Sequence, residues 1–480
     1  MNLHLLELPT DVLIVIVQYF GISELAALYR TCKTFFTLID TYGWCNYLRR
    51  NPRNSLSLSR AYETWSPARR VRYNTLTDRA WSNLRFVARP LSRPWKGRFQ
   101  PTLALSKTRL VVASGCTIFC YKFNVIKSDS SQPSVQCEGS LSLSANPDSR
   151  RDITSIVSIH DEESCQTLLC GLQDGTFTQV VLLSQDDANM TGKVTHLGNI
   201  SPMGGSIESL SCEGSLLLSL SSTGEASFRS PTSLEPALSS IQLGTRSWKS
   251  YLTTKASTPF AAFGTSSKTP LAVYSILYGT ELPEKPTVIL DTSKDTPSVS
   301  SAVYGICSAP LSSPWGSSPQ IVVSGWFDGQ VHVHDLRSPI RVSSSSLYSS
   351  DSTTHQIPRL HPVLSLSDPW TFDPIYSVSS GGGAGSHIAA GSARHSVVCF
   401  WDVRSPKNGW SVYAPGNDRS PVYDVVLESS RLFGATDSRP FVYDFGPGVT
   451  QDTYPAVKAD GLKTKRSNPI AYYVTKYSHK

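Results

Sequence analysis

The sequence predicts a chain that is α+β by domain: a small N-terminal module of three helices, then an all-β propeller of seven blades. Three observations lead there. Apolar residues recur at helical spacing most clearly within residues 8–50. From Phe99 onwards, short alternating strands closed by turn residues recur along the chain. Charged residues make up only 17% of the chain, and Gly and Pro number 31 each, which suits many short strands and turns.

The helical module reads LPTDVLIVIVQYFGISELAALYRTCKTFFTLIDTYGWCNYLRR. Thr10 is placed to cap a helix after Pro9. Leu13, Ile16, Val17 and Phe20 then share a face. Gly21 ends this helix and Ser23 is placed to cap the next, where Leu25, Leu28, Tyr29 and Cys32 align. Phe35, Phe36, Leu38, Ile39 and Trp44 form a third segment. Three short helices cannot hide this much apolar surface among themselves, so part of it is left for a partner.

Residues 51–98 read as a connector. SPARRVRYNTLTDRAW has helical composition, whereas FVARPLSRPWKGRFQP is too rich in Pro for helix and is expected to run extended into the first blade. Between Arg49 and Arg98 there are thirteen Lys and Arg against Glu63 and Asp78. This local balance of +11 sits within a chain total of +7, so the rest carries −4. Such a block can contact nucleic acid. Its Arg residues are scattered among Trp, Tyr and Leu, which favours a helical linker meeting an acidic protein partner; nucleic acid is not the expected partner.

Seven strand–turn–strand units follow. The clearest is IVVSGWFDGQVHVHDLRSP at 321–339, with a Phe-Asp-Gly turn. IAAGSARHSVVCFWDVRSP at 388–406 and RLFGATDSRPFVYDFG at 431–446 repeat it. Fainter copies lie at 110–123, 167–182, 216–230 and 259–277. Over 99–446 this is about 50 residues per unit, with the excess in Ser/Pro/Gly loops at 309–319, 343–357 and 379–387. Trp401, Tyr443 and His334 hold equivalent places before an Asp and read as fillers between blades, with Asp402 and Asp444 bonding turns. IAYYVTKYS at 470–478 has strand composition and reads either as an addition to a blade edge or as a free tail.

Several function classes lose support. The ten cysteines contain no CxxC; Cys116 and Cys120 fall four apart without His or Cys partners nearby, which reads as buried thiols in a reducing compartment. The apolar run Val12–Phe20 lacks preceding basic residues and follows Glu7, Pro9 and Asp11, unlike a secretion signal. No run reaches membrane-spanning length. A soluble, intracellular chain is expected, in cytoplasm or nucleus, and the sequons at Asn189 and Asn199 read as chance matches. GGGAGSH at 381–387 lacks the Lys-Ser or Lys-Thr of a phosphate loop. No HExxH or GxSxG occurs. No enzyme activity, catalytic residue, metal or cofactor is expected.

The N-terminal motif resembles the F-box, through Leu8-Pro9, Val12-Leu13, Ile16, Phe20, Leu25, Leu28, Cys32, Phe36 and the closing Trp44. The strand array resembles a divergent WD-repeat (WD40-like) propeller, in which only Trp401-Asp402 keeps the signature dipeptide. The combined resemblance is to F-box/WD-repeat proteins, the substrate adaptors of SCF ubiquitin ligases. It implies an F-box at 1–50, a linker at 51–98, a propeller at 99–446 and a tail at 447–480. It also implies a Skp-type adaptor bound through Leu8, Pro9, Val12, Leu13, Ile16, Leu25 and Leu28, with cullin and RING subunits beyond it. A protein substrate, acidic or phosphorylated, is expected on the hairpins carrying Trp326, Phe327, Arg394, His395 and Arg439. The competing readings are a WD-repeat scaffold whose helices only cap the propeller, and a propeller hydrolase or lyase.

Overall fold

The computed structural model describes residues 7–124, 133–144, 151–162, 164–183, 191–199, 204–232, 236–292, 300–338, 357–416, 419–457 and 476–478. Asn189, most of the Ser-rich loop 343–357 and residues 470–475 lie outside them. The chain begins with helices and continues as all-β sheets in a propeller arrangement.

The first helices are α1 (Thr10–Gln18), α2 (Ile22–Tyr29), α3 (Lys33–Leu38) and α4 (Trp44–Arg50). A π-helical turn at Ile39–Gly43 joins α3 to α4, so the expected third helix is one bent rod of two pieces. Thr10 is the first helical residue rather than a cap, and α2 is capped by Gly21 backbone, with Ser23 already inside the helix. Leu13, Val17, Leu25, Phe35, Leu38, Ile39 and Trp44 form the core of this module. Val71 of α6 (Pro67–Ser82) closes that core, so a longer fourth wall covers what three helices leave open. α6 starts as its sequence dictates: Pro67 takes the first turn and the Ser66 side chain accepts from Arg69 N at 3.3 Å. The short α5 (Ser59–Thr64) precedes it.

The seven sequence hairpins are all present as antiparallel strand pairs, for example Ile321–Trp326 with Gln330–Asp335 and His387–Ser392 with Val397–Asp402. Gly329, at φ +82°, occupies the left-handed position of the Phe-Asp-Gly turn. The strands fall into six hydrogen-bonded sheets rather than seven separate ones. The reason is local. Phe260–Ser267 extends past its own hairpin, and Ser266 and Ser267 pair with Ala302 and Ser301, fusing two consecutive meanders into one nine-stranded sheet.

Closure also differs from the expectation. The extended linker strand Val87–Pro90 does not feed the first sheet; it pairs with Pro440–Asp444 of the last. The chain then crosses to Thr102–Leu105, the first strand of the first sheet. N-terminal and C-terminal segments thus share one sheet, which removes free edges at the seam. Lys476–Ser478 pairs with Trp410–Val412 as a fifth strand on the sheet that spans 375–413.

Apolar clusters between neighbouring sheets supply the core. Trp401 is 2% exposed and packs among Ile321, Val323, Val331 and Val333 of the preceding sheet. Tyr443 is fully buried, and its hydroxyl donates to Tyr413 O at 3.0 Å. His334 reaches Asp291 O at 2.9 Å. The Asp after each of these residues secures a turn: Asp335 accepts from Arg337 N (2.9 Å), Asp402 from Arg404 N (3.0 Å) and Asp444 from Gly446 N (2.7 Å).

Candidate functional site

Two surfaces of this molecule carry unspent chemistry. The first is the outer side of the helical module. α1 is apolar nearly all round, and Leu13 and Val17, four residues apart, take the inner face. This leaves Val12 (39% exposed), Val15 (52%) and Tyr19 (78%) on a second stripe facing solvent. Phe36 (46%) of α3 is exposed as well. Of the residues expected to meet an adaptor, Pro9 and Val12 are exposed, and Leu8, Ile16 and Leu28 are half-buried. Leu13 and Leu25 are a correction: at 4% and 1% exposure they belong to the module's own core. Sequence reasoning missed Val15 and Tyr19, because in LIVIV every position is apolar and periodicity cannot say which stripe turns inward.

The second surface is the propeller face that bears the hairpin turns. The innermost strands start on this same face. Arg394 of one hairpin reaches Asp373, just before the inner strand Ile375–Gly381, at 3.8 Å, and Ser396 N donates to Ser420 O at 2.7 Å. Arg394 and His395 are exposed, with His395 held at φ +62°. Phe327 is 54% exposed. Arg439 is half-buried, with its guanidinium against Gly416, where an added Cβ would lie 2.9 Å from Cζ. Trp326 corrects the expectation. It is the last residue of its strand, 1% exposed, with its ring edge-on to His332 and Nε1 donating to Ser324 Oγ at 2.8 Å. It cannot anchor a partner from there.

Two further aromatics that the sequence did not flag are exposed: Trp370 (68%) and Phe372 (81%). Their segment lies against the hairpin turn, since a Cβ on Gly329 would meet Phe372 backbone at 3.0 Å. Asp368, 2% exposed, fixes the segment by accepting from Trp370 N at 2.9 Å and from Cys399 Sγ at 3.3 Å. Burial pushes the Cys399 thiol well above its ordinary pKa, so it stays protonated as a donor. The only local hint in the sequence is the Pro-flanked pair in DPWTFDP.

At the centre of this face lies a cavity of about 210 Å³, lined by side chains from the inner strands, among them Thr102, Thr154, Glu208, Lys249 and Asp424. Trp248, Tyr304, Tyr376 and Tyr423 form an arc around it, with successive ring centroids 5.1, 5.3 and 5.8 Å apart. Arg246 stacks on Trp248 at 4.2 Å and pairs with Glu208 at 2.9 Å. Asp424 Oδ2 accepts from Leu103 N at 2.9 Å, joining the last sheet to the first; burial raises its pKa, against the lowering effect of the Lys249 ammonium. Among the described residues, no group of three His, Cys, Asp or Glu is placed to hold a metal ion. The arrangement suits holding a protein segment by aromatic contact and charge.

The helices attach to the opposite face, at the turns that follow the inner strands. Trp81 of α6 stacks on Phe445 (3.7 Å, 10°) and its Nε1 donates to Ser429 O at 2.9 Å. Ser429 N donates to Asn54 O at 2.7 Å, and Ser57 N donates to the buried Glu428 at 2.9 Å. Asp78 holds Arg53 with two bonds of 2.7 and 2.6 Å. Below them, Arg431 and Asp444 form a fully buried ion pair at 3.2 Å, and the hydroxyl of Tyr454, just beyond the last sheet, donates to Asp444. Thus the helical module is fixed to one face while the hairpins open on the other.

No protein-family model matches the sequence, and comparison with curated proteins gives no match.

Proposed function

We propose that this chain is the substrate-selecting subunit of an SCF-type ubiquitin ligase. Its F-box-like helices dock a Skp-type adaptor, and through it cullin and RING subunits, while its WD40-like propeller captures a protein substrate. The chain itself carries no catalytic step, and its place of action is the cytoplasm or nucleus. One observation carries the reading. The segment that follows the apolar helices is anchored to one face of the propeller by a buried, hydrogen-bonded seam, and an aromatic, Arg-bearing hairpin face lies on the other. That geometry allows two partners to be held at once and at a fixed distance. The nine-stranded sheet is read as two blades linked by the pairing of 266–267 with 301–302 and by the parallel pairing of 289–290 with 359–360, which makes a seven-bladed ring. In support, the central cavity takes side chains from seven successive inner strands.

Affinity purification of the full chain from cells, with and without proteasome inhibition, tests this. Enrichment of a Skp-type adaptor and a cullin is expected, with further proteins accumulating under inhibition. A set of associated proteins lacking both subunits would support a scaffold whose helices only cap the propeller.

A further inference from the structure

We propose that the groove between α6 and the sheet that closes the ring docks an acidic segment of a partner protein, anchored by apolar side chains. The groove encloses about 550 Å³. Its walls combine Leu76, Phe86, Phe445 and Val449 with Arg79 and Arg85. Both arginines are exposed and take no part in an ion pair among the described residues. The nearby carboxylates are already committed. Asp78 is bound by Arg53, and Asp444, at the groove's edge, is bound by Arg431 and Tyr454. Arg72, seven residues before Arg79, falls on the same side of α6 and extends the positive stripe.

Lys476 lies 4.4 Å from the Phe86 ring and adds a further cation beside the groove. Charge complementarity therefore selects an anionic occupant. The apolar floor selects one that also brings Leu- or Phe-like side chains, which a nucleic acid backbone does not. The walls are preformed. Trp81 stacks on Phe445, and Phe86 packs edge-on to Tyr443 at 5.3 Å, so little ordering is needed on binding.

This inference goes beyond the adaptor reading and does not depend on it. The groove is walled by α6, the strand that follows it and the closing sheet, and takes no residue from α1.

The test uses the purified full chain and a fluorescent peptide of alternating Glu and Leu with one Phe, read by anisotropy. Polyglutamate of equal length and a single-stranded RNA of equal charge serve as competitors. Saturable binding of the mixed peptide is expected. It should weaken on the order of tenfold in R79E/R85E, as rim charges of this kind act. It should weaken also in L76D, and remain unchanged in K193E, at an exposed lysine on the outermost strand of the sheet that spans 153–199. Equal binding by R79E/R85E that melts like the parent would overturn the proposal. So would absence of saturable binding, or displacement by polyglutamate or RNA as effective as by the mixed peptide.

Discussion

Trp401, Tyr443 and His334 show how a single side chain holds neighbouring sheets together. Each precedes the Asp of a turn and each reaches out of its own hairpin, by packing (Trp401) or by a hydrogen bond (Tyr443 to Tyr413, His334 to Asp291). Trp401→Ala removes an indole from between two sheets and is expected to cost roughly 3–5 kcal/mol in urea unfolding; a parent-like midpoint would show that the sheets close without it. His332 and His334 make a second prediction. Burial lowers their pKa values to about 3 and about 4, and each keeps one ring nitrogen bonded, to Ser365 and Asp291. The unfolded value lies near ~6.5. The folded state therefore favours neutral imidazole. The stabilisation is fully present above the unfolded pKa and is lost as pH falls from there towards about 4 for His334 and about 3 for His332. Unfolding at a series of pH values should show stability dropping across that window, with a shallower drop in H332Q. Identical slopes for parent and variant would contradict the assignment.

At the scale of elements, the hairpins were the most legible part of the sequence. Alternation with period two and a Phe-Asp-Gly turn leave little choice of register, as in 321–335. Trp326 shows the limit of that reading: beside a turn it looks exposed, yet as the last residue of its strand it points into the core. α1 shows another limit, since an all-apolar helix hides which stripe is inner. The structure separates the two stripes, and variants should too. Leu13→Ala is expected to destabilise the module by about 2–5 kcal/mol. Val15→Ser with Tyr19→Ser should leave melting unchanged, because those side chains face solvent. A lower melting point for the Ser pair would mean that the outer stripe is structural.

For the molecule as a whole, the seam between helices and propeller decides whether two faces act as one unit. None of it was legible in the sequence. Trp81 and Ser429 lie 348 positions apart, and no local pattern announces that Glu428 will accept from Ser57 or that Tyr454 will close over Asp444. The buried Arg431–Asp444 pair sits at its centre. Arg431→Leu strands a buried carboxylate and should cost roughly 3–5 kcal/mol, whereas replacing both partners by apolar residues should cost much less than the two single changes together. Additive losses in that double-mutant cycle would show that the two groups act independently.

The central claim is that the outer stripe of α1 receives an adaptor while the propeller stays intact behind it. Calorimetric titration of the purified full chain with a purified Skp-type adaptor measures this directly, for the parent and for Val15→Ser with Tyr19→Ser. The expected result is a stoichiometric complex for the parent and, for the variant, a loss of a few kcal/mol of binding on the scale of interface hot spots, with unchanged propeller melting. A parent that does not bind the adaptor, or a variant that binds it as tightly, would contradict the account.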